Sequence, residues 1–151
     1  IDSELDALAS LWPSELPFGV IHADWFCDNI FFLDGELSGV IDFYFACNDY
    51  LAYDLAIAIN AWAFDSDFAF RADASAAMVS GYQSVRALEP AELASLPVLC
   101  RGAALRFLLT RTNDWLNVPP GALVVPHDPK AFSARLRFHQ AVSGPEIYGA
   151  V

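Results

Sequence analysis

The hydrophobic period of this chain changes once, and that change restricts the folds open to it. In the first third the apolar residues form short runs, at 18–22, 30–33 and 37–41. The last two runs are separated by Asp34-Gly35-Glu36, which is a hairpin-turn signal. After about residue 49 the spacing becomes helical, since Leu51, Leu55 and Ile59 recur at intervals of four. The pattern predicts an α+β fold, mainly helical, with a small β-hairpin.

The helical segments fit a single domain of 151 residues. Their expected bounds are 2–11, 49–63, 68–85, 98–116 and about 129–140. A further segment opens at Glu89-Pro90, and we expect it to break at Pro97. The reason is that an interior proline lacks the N–H of the helical ladder and clashes with the preceding turn.

Charge and composition exclude several classes of function. A net charge of −11 and scattered arginines make nucleic acid an unsuitable partner. No membrane span is expected, because Asn60, Arg101 and Arg106 interrupt the apolar stretches before they reach roughly 18 residues. The three cysteines lack paired ligand spacing, so neither a disulfide framework nor a zinc site is predicted, and a cytoplasmic location is expected.

Polar residues interrupt the apolar sequence of the β region at two places. His22-Ala23-Asp24 begins the first, which ends at Asn29, and Asp42 follows the third apolar run. Phosphoryl transfer needs a carboxylate to orient or deprotonate the attacking hydroxyl, and oxygen ligands for Mg²⁺. Asp24, Asn29 and Asp42 supply such oxygens, and the intervening hairpin should return Asp42 to the side of Asn29. The pattern predicts one cleft formed by all three.

The motif His22-x-Asp24-x4-Asn29, followed after a hairpin by Ile41-Asp42-Phe43, resembles the aminoglycoside phosphotransferase and choline kinase superfamily. That superfamily has a fold similar to protein kinases, so the resemblance implies a C-terminal catalytic lobe that uses ATP and Mg²⁺. It implies that Asp24 is the catalytic base, that Asn29 and Asp42 bind Mg²⁺ and thereby the nucleotide, and that His22 braces the catalytic loop.

Three longer strings are similar to the bacterial homoserine kinases that use this fold, at 19–24, 38–49 and 101–107. This resemblance runs over nearly the whole chain, and the string 38–49 is its most specific part. It implies phosphorylation of the hydroxyl of homoserine to O-phosphohomoserine, for threonine biosynthesis.

Other functions remain open on the residues alone. A related kinase of choline, ethanolamine, methylthioribose or an aminoglycoside would suit an acidic cleft. A metal-dependent phosphohydrolase could use His22, Asp24 and Asp42 as ligands, although such enzymes normally carry further His or Asp ligands at short spacing. The chain could also be a non-catalytic binding module that keeps the fold.

Arg111, Asp114 and Trp115 form a second polar cluster, in an otherwise apolar helix. The arginine could hold a substrate carboxylate bidentately while Asp114 pairs with an ammonium group. The alternative is an ion pair between Arg111 and Asp114, one turn apart, with Trp115 in the core. Asp54 is expected to be structural, accepting amide donors near a helix start or bracing the catalytic loop.

The parts of a kinase that cover the phosphates have no counterpart in this sequence. It contains no glycine-rich loop, and its only lysine, Lys130, comes after the catalytic motif. We therefore expect an N-terminal nucleotide-covering lobe before Ile1, and residues 1–151 alone should be inactive.

Overall fold

The computed structural model describes residues 1–119, 121–123 and 125–150. In these residues a short helix precedes four short strands, and four further helices follow. The elements are α1 (Asp2–Leu11), β1 (Phe18–Ile21), β2 (Ile30–Leu33), β3 (Glu36–Val40), β4 (Cys47–Tyr50), α2 (Leu51–Trp62), α3 (Ala72–Val85), α4 (Pro90–Leu116) and α5 (Lys130–Gln140). The predicted fold class, a mainly helical α+β lobe with a small hairpin, is confirmed.

The strands form two separate antiparallel pairs. The hairpin of β2 and β3 turns at Asp34 and Gly35, which both adopt the left-handed conformation that such turns require. The other pair joins β1 to β4, with Val20 opposite Asn48. This second pair was not predicted, and it places the start of β1 opposite Tyr50, the residue before α2. The catalytic motif follows β1 directly.

The prediction of a break at Pro97 was wrong, because α4 runs unbroken from Pro90 to Leu116. The proline forfeits one ladder hydrogen bond, a loss of about 3 kcal/mol in an exposed helix. Here Leu96, Leu99 and Cys100 around it are fully buried. Burial of each large apolar side chain stabilises the helix by about 1.5–3 kcal/mol, which outweighs the loss.

By length and composition α4 could also cross a membrane, contrary to the expectation from the sequence. Its packing is that of a core helix, since it makes its most extensive contacts with α5 and α2. Its arginines are also used within the fold. Arg101 forms an ion pair with Glu4 of α1, and Arg106 donates a hydrogen bond to the loop after β1.

A buried polar chain joins the helices behind the site. The side-chain amide of Asn60 donates to the carbonyl oxygens of Ala56 and Cys100, both at 2.9 Å. His139 contacts Asn60 Oδ1 through Nε2 at 3.1 Å and the Tyr148 hydroxyl through Nδ1 at 2.8 Å. Burial lowers the pKa of His139 from 6.5 to about 3, and the nearby charge of Arg135 lowers it further. His139 is therefore a neutral core residue.

Many large apolar side chains around the β elements are exposed. Phe31 and Phe32 of the hairpin are 49% and 60% exposed, because no layer of the described chain covers that face. Ile41, Phe43, Tyr44 and Phe45, on the segment after β3, are also exposed. An apolar surface of this extent is typical of an interaction surface.

Candidate active site

The loop after β1 is built around the carboxylate of Asp54, which projects from the first turn of α2. Its two oxygens accept the backbone N–H groups of His22 and Ala23, at 3.0 and 2.8 Å. Oδ2 also accepts the indole N–H of Trp25 at 2.6 Å. A single carboxylate thus fixes the first turn of the loop, which is the bracing role expected for Asp54.

Ala23 carries the strain of this loop. Its φ of 63° is left-handed, a conformation that costs a non-glycine residue about 1–3 kcal/mol. The residue is held from both sides, since its N–H donates to Asp54 and its carbonyl accepts from Arg106 Nη1 at 3.0 Å. Arg106 could not be assigned to this loop from the sequence, because nothing in the spacing links it to residue 23.

His22 lies buried behind the loop and connects it to the end of the hairpin. Its Nε2 lies 2.9 Å from the carbonyl oxygen of Ile41, which can only accept, and the N–H of Asp24 donates to Nδ1 at 3.2 Å. The hydrogen therefore sits on Nε2. The ring also packs against Phe43, with 4.7 Å between centroids. His22 thus contacts the residues on both sides of Asp42.

Asn29 is the second link between the loop and the hairpin. Its side-chain amide donates to the carbonyl oxygen and to Oδ2 of Asp24, both at 2.9 Å. Its backbone carbonyl accepts the N–H of Ile41 at 3.0 Å. Because the amide nitrogen is committed to Asp24, the side-chain oxygen of Asn29 remains available as an acceptor. This bond holds the end of the hairpin, where Asp42 follows Ile41, next to Asn29.

The electrostatics of Asp24 suit a proton acceptor. Burial raises its pKa above the ordinary value of 3.8, and the charge of Asp42 raises it further. The Asn29 hydrogen bond and the charge of Arg106 act in the opposite direction. The Asn29 bond uses Oδ2, so Oδ1 has no partner among the described residues.

The donor set fits Mg²⁺. Asp42 is exposed, left-handed at φ 63°, and its carboxylate makes no hydrogen bond within the described chain. Asp42 and the free oxygen of Asn29 are hard oxygen donors, and Mg²⁺ is usually bound by one or two carboxylates together with substrate phosphates and water. No group of three His, Cys, Asp or Glu side chains that could hold a metal occurs in the described part of the chain.

A large apolar cavity of about 660 Å³ lies behind the loop, between the hairpin, α2 and α3. Asp54 and Trp25 contribute to its wall, together with Phe32, Leu37 and Met78. Asp24, Asn29 and Asp42 are not among its lining residues. The cavity is therefore separate from the three residues of the motif.

Of the second polar cluster, Arg111 lies beside the loop after β1, and Asp114 and Trp115 face solvent. Arg111 is half-buried, with its guanidinium 5.1 Å from the ring centroid of Phe26, two residues after Asp24. Burial lowers its pKa, while Asp28 and Asp24 are near enough to raise it. Asp114 and Trp115 are exposed, and the alternative of a buried Trp115 beside an Arg111–Asp114 ion pair is not found in the described chain.

Comparison with known proteins identifies the family of this chain. The model of the phosphotransferase enzyme family matches residues 1–88. A homoserine kinase of Methylobacterium radiotolerans is 60% identical over 147 residues, 97% of this chain and 46% of the relative. Homoserine kinases of Rhodospirillum rubrum and Azorhizobium caulinodans are 58% and 60% identical over 149 residues, 99% of this chain.

The chain spans 46% of the length of these curated relatives. The family match includes β1, the hairpin, Asp24, Asn29, Asp42 and Asp54. Arg106, which donates to the loop from α4, lies outside the match. The resemblance inferred from the motifs is confirmed by this match. The chain belongs to the phosphotransferase enzyme family.

Proposed function

We propose that this chain is the catalytic lobe of an ATP-dependent kinase that phosphorylates the hydroxyl of homoserine to O-phosphohomoserine, in the cytoplasm. The observation that carries the proposal is the loop in which Asn29 binds Asp24 while Asp42 lies beside it. Identity near 60% to homoserine kinases over nearly the whole chain supports homoserine as the acceptor. All three relatives are named as homoserine kinases, and none is named for choline, methylthioribose or an aminoglycoside.

In this mechanism Asp24 receives a proton from the acceptor. The hydroxyl oxygen attacks the γ-phosphorus, the bond from that phosphorus to the β,γ-bridging oxygen breaks, and ADP leaves. The hydroxyl proton passes to Oδ1 of Asp24, which has no hydrogen-bond partner in the described part of the chain, while Asn29 keeps Oδ2 in position. The raised pKa of Asp24 makes it a better acceptor than an exposed aspartate.

Asn29 and Asp42 would hold Mg²⁺, which when bound neutralises charge on the β- and γ-phosphates. His22 takes no part in proton transfer in this scheme, because both ring nitrogens are already committed to backbone groups. Its role is to position the loop against the hairpin. Arg111 is proposed to meet the carboxylate of the acceptor, with Asp114 and Trp115 as candidates for its ammonium end.

The complete enzyme is proposed to include a second lobe that covers the phosphates. Catalysis of phosphoryl transfer is mostly positioning and electrostatic stabilisation, so one wall of the cleft should hold Mg·ATP weakly. The exposed apolar residues at 41–45 and on the hairpin are where such a lobe would pack. Residues 1–151 alone should therefore show little turnover beside the complete protein.

The experiment is a comparison of acceptors with the complete protein. ADP formation is followed with Mg·ATP and homoserine, choline, ethanolamine, methylthioribose or an aminoglycoside, and O-phosphohomoserine is identified by mass spectrometry. A clear preference for homoserine is expected. A preference for another acceptor would replace the substrate, and release of phosphate without any acceptor would favour a phosphohydrolase.

A further inference from the structure

Within residues 1–119, 121–123 and 125–150, two arginines lack the hydrogen-bond partners that the other five have. The described residues provide hydrogen bonds to Arg71, Arg86, Arg101, Arg106 and Arg137. Arg111 and Arg135 form neither a hydrogen bond nor an ion pair with the described chain. Guanidinium groups are rarely withdrawn from water without an anion, because burial of an unpaired charge is costly.

The two unpaired guanidinium groups converge on one aromatic ring. Arg111, from α4, and Arg135, from α5, each lie 4.5 Å from the ring centroid of Phe132. Nε of Arg135 is fully buried and has no hydrogen-bond partner among the described residues. Burial, with the charge of Arg111, lowers the pKa of Arg135 to about 10. Two like charges are thus held close together, an arrangement that an anion would stabilise.

The location of this pair relative to Asp24 indicates which anion. Phe132 packs against Phe26, with 6.1 Å between ring centroids, and Arg111 lies over the same Phe26. The pair therefore adjoins the Phe26 end of the loop. At the other end of the loop, His22 contacts Ile41 and Phe43, the two residues on either side of Asp42. An anion at the arginines would lie beside Phe26, two residues along the loop from Asp24.

We infer that Arg135 and Arg111 together form the binding site for the carboxylate of the amino-acid acceptor, an inference that rests on the proposed kinase function. Arginine suits this task because its planar group binds carboxylates bidentately. Phe132 holds both groups in place, so little side-chain entropy is lost when the anion binds. The second arginine, on α5, is the part that no motif in the sequence indicated.

The test uses the complete enzyme and two acceptors that differ only in the carboxylate. Homoserine carries it, and 3-aminopropan-1-ol keeps the hydroxyl and the amine without it. Arg135→Gln should raise KM for homoserine roughly 10- to 100-fold, the equivalent of one charge-assisted hydrogen bond. It should leave kcat/KM for 3-aminopropan-1-ol and KM for ATP within about twofold. Arg111→Gln should behave alike.

Arg137→Gln is the matched control, since Arg137 lies on the same helix but is exposed and hydrogen-bonded to Ser133. It should change neither acceptor. Arg135→Lys keeps a cation without the planar fork and should recover part of the loss. The inference is overturned if Arg135→Gln impairs both acceptors equally, if it impairs neither, or if KM for ATP rises instead.

Calorimetric binding of L-2-aminobutyrate separates this inference from the proposed function. This ligand has the carboxylate and the amine but no hydroxyl, so it reports the anion site without turnover. Binding that Arg135→Gln weakens supports the site even if homoserine proves not to be phosphorylated, an outcome that would reject the proposed function alone. Failure of the wild-type protein to bind L-2-aminobutyrate would refute the carboxylate site.

Discussion

Replacement of Asp54 by Asn tests whether one carboxylate holds the catalytic loop. In the native structure Oδ2 accepts two N–H groups, from His22 and Trp25, and Oδ1 accepts one, from Ala23. An asparagine keeps most bonds if its oxygen takes the Oδ2 position. Its NH₂ group then faces the N–H of Ala23, so one donor meets another.

The loss is one charge-assisted hydrogen bond, about 1.5–3 kcal/mol. It falls on Ala23, the residue whose left-handed backbone sets the direction of Asp24. If Ala23 leaves its left-handed conformation, the carboxylate of Asp24 is displaced from its position in the site. The expected result is a decrease of roughly 10- to 100-fold in kcat/KM for homoserine.

The assay is steady-state kinetics of the complete enzyme, with a thermal melt to confirm folding. Asp67→Asn is the matched control, because Asp67 is exposed and its carboxylate accepts no described hydrogen bond. It should leave kcat/KM unchanged. If Asp54→Asn retained kcat/KM within twofold of the wild type, the Asp54 hydrogen bonds would not be what positions Asp24.

Three further predictions concern the base, the metal ligand and the docking of α1. Asp24→Asn should lower kcat by about 10²–10⁴-fold with little change in ATP binding, whereas Asp42→Ala should also weaken Mg·ATP binding in titrations. Because burial raises the pKa of Asp24, kcat/KM measured against pH should decline on the acid side with a midpoint above 3.8; a midpoint below 3.8 contradicts the assignment. The Arg101 hydrogen bond lowers the pKa of Glu4, so its stabilisation is present above the ordinary 4.5 and lost as the pH falls through the lower folded-state value. Glu4→Gln should therefore lower the melting temperature at pH 7 and much less in acid, and exposed Glu15→Gln should change neither.

The helices and the hairpin could be predicted because their apolar spacing is local. The hairpin needed only two apolar runs and Asp34-Gly35, and α1 and the later helices followed from periodicity. β4 could not be predicted, since Cys-Asn-Asp-Tyr has no strand pattern and its conformation depends on backbone pairing with β1. The continuity of α4 through Pro97 likewise depends on burial by α2 and α5, which a local rule does not include.

The candidate site divides in the same way. Asp24, Asn29 and Asp42 could be proposed from the sequence because their spacing matches a known motif and they interrupt otherwise apolar sequence. Arg106 and Arg135 were assigned no role. They lie 83 and 112 positions along the chain from Ala23, and only folding brings α4 and α5 to the loop. The pairing of Arg135 with Phe132 is visible in sequence as a one-turn spacing, but nothing there shows that it is buried.

The buried chain through Asn60, His139 and Tyr148 has only one consistent arrangement of hydrogens. The Asn60 amide gives both hydrogens to carbonyl oxygens, so its oxygen must accept the hydrogen on His139 Nε2. His139 Nδ1 must then accept from the Tyr148 hydroxyl. Hydrogens are thus donated in one direction, from Tyr148 to His139 and from His139 to Asn60. Asn60→Asp would keep an oxygen for His139 but would set its other oxygen against the carbonyl oxygens of Ala56 and Cys100, where the amide had supplied two hydrogens. The three residues are expected to tolerate exchange only in combination.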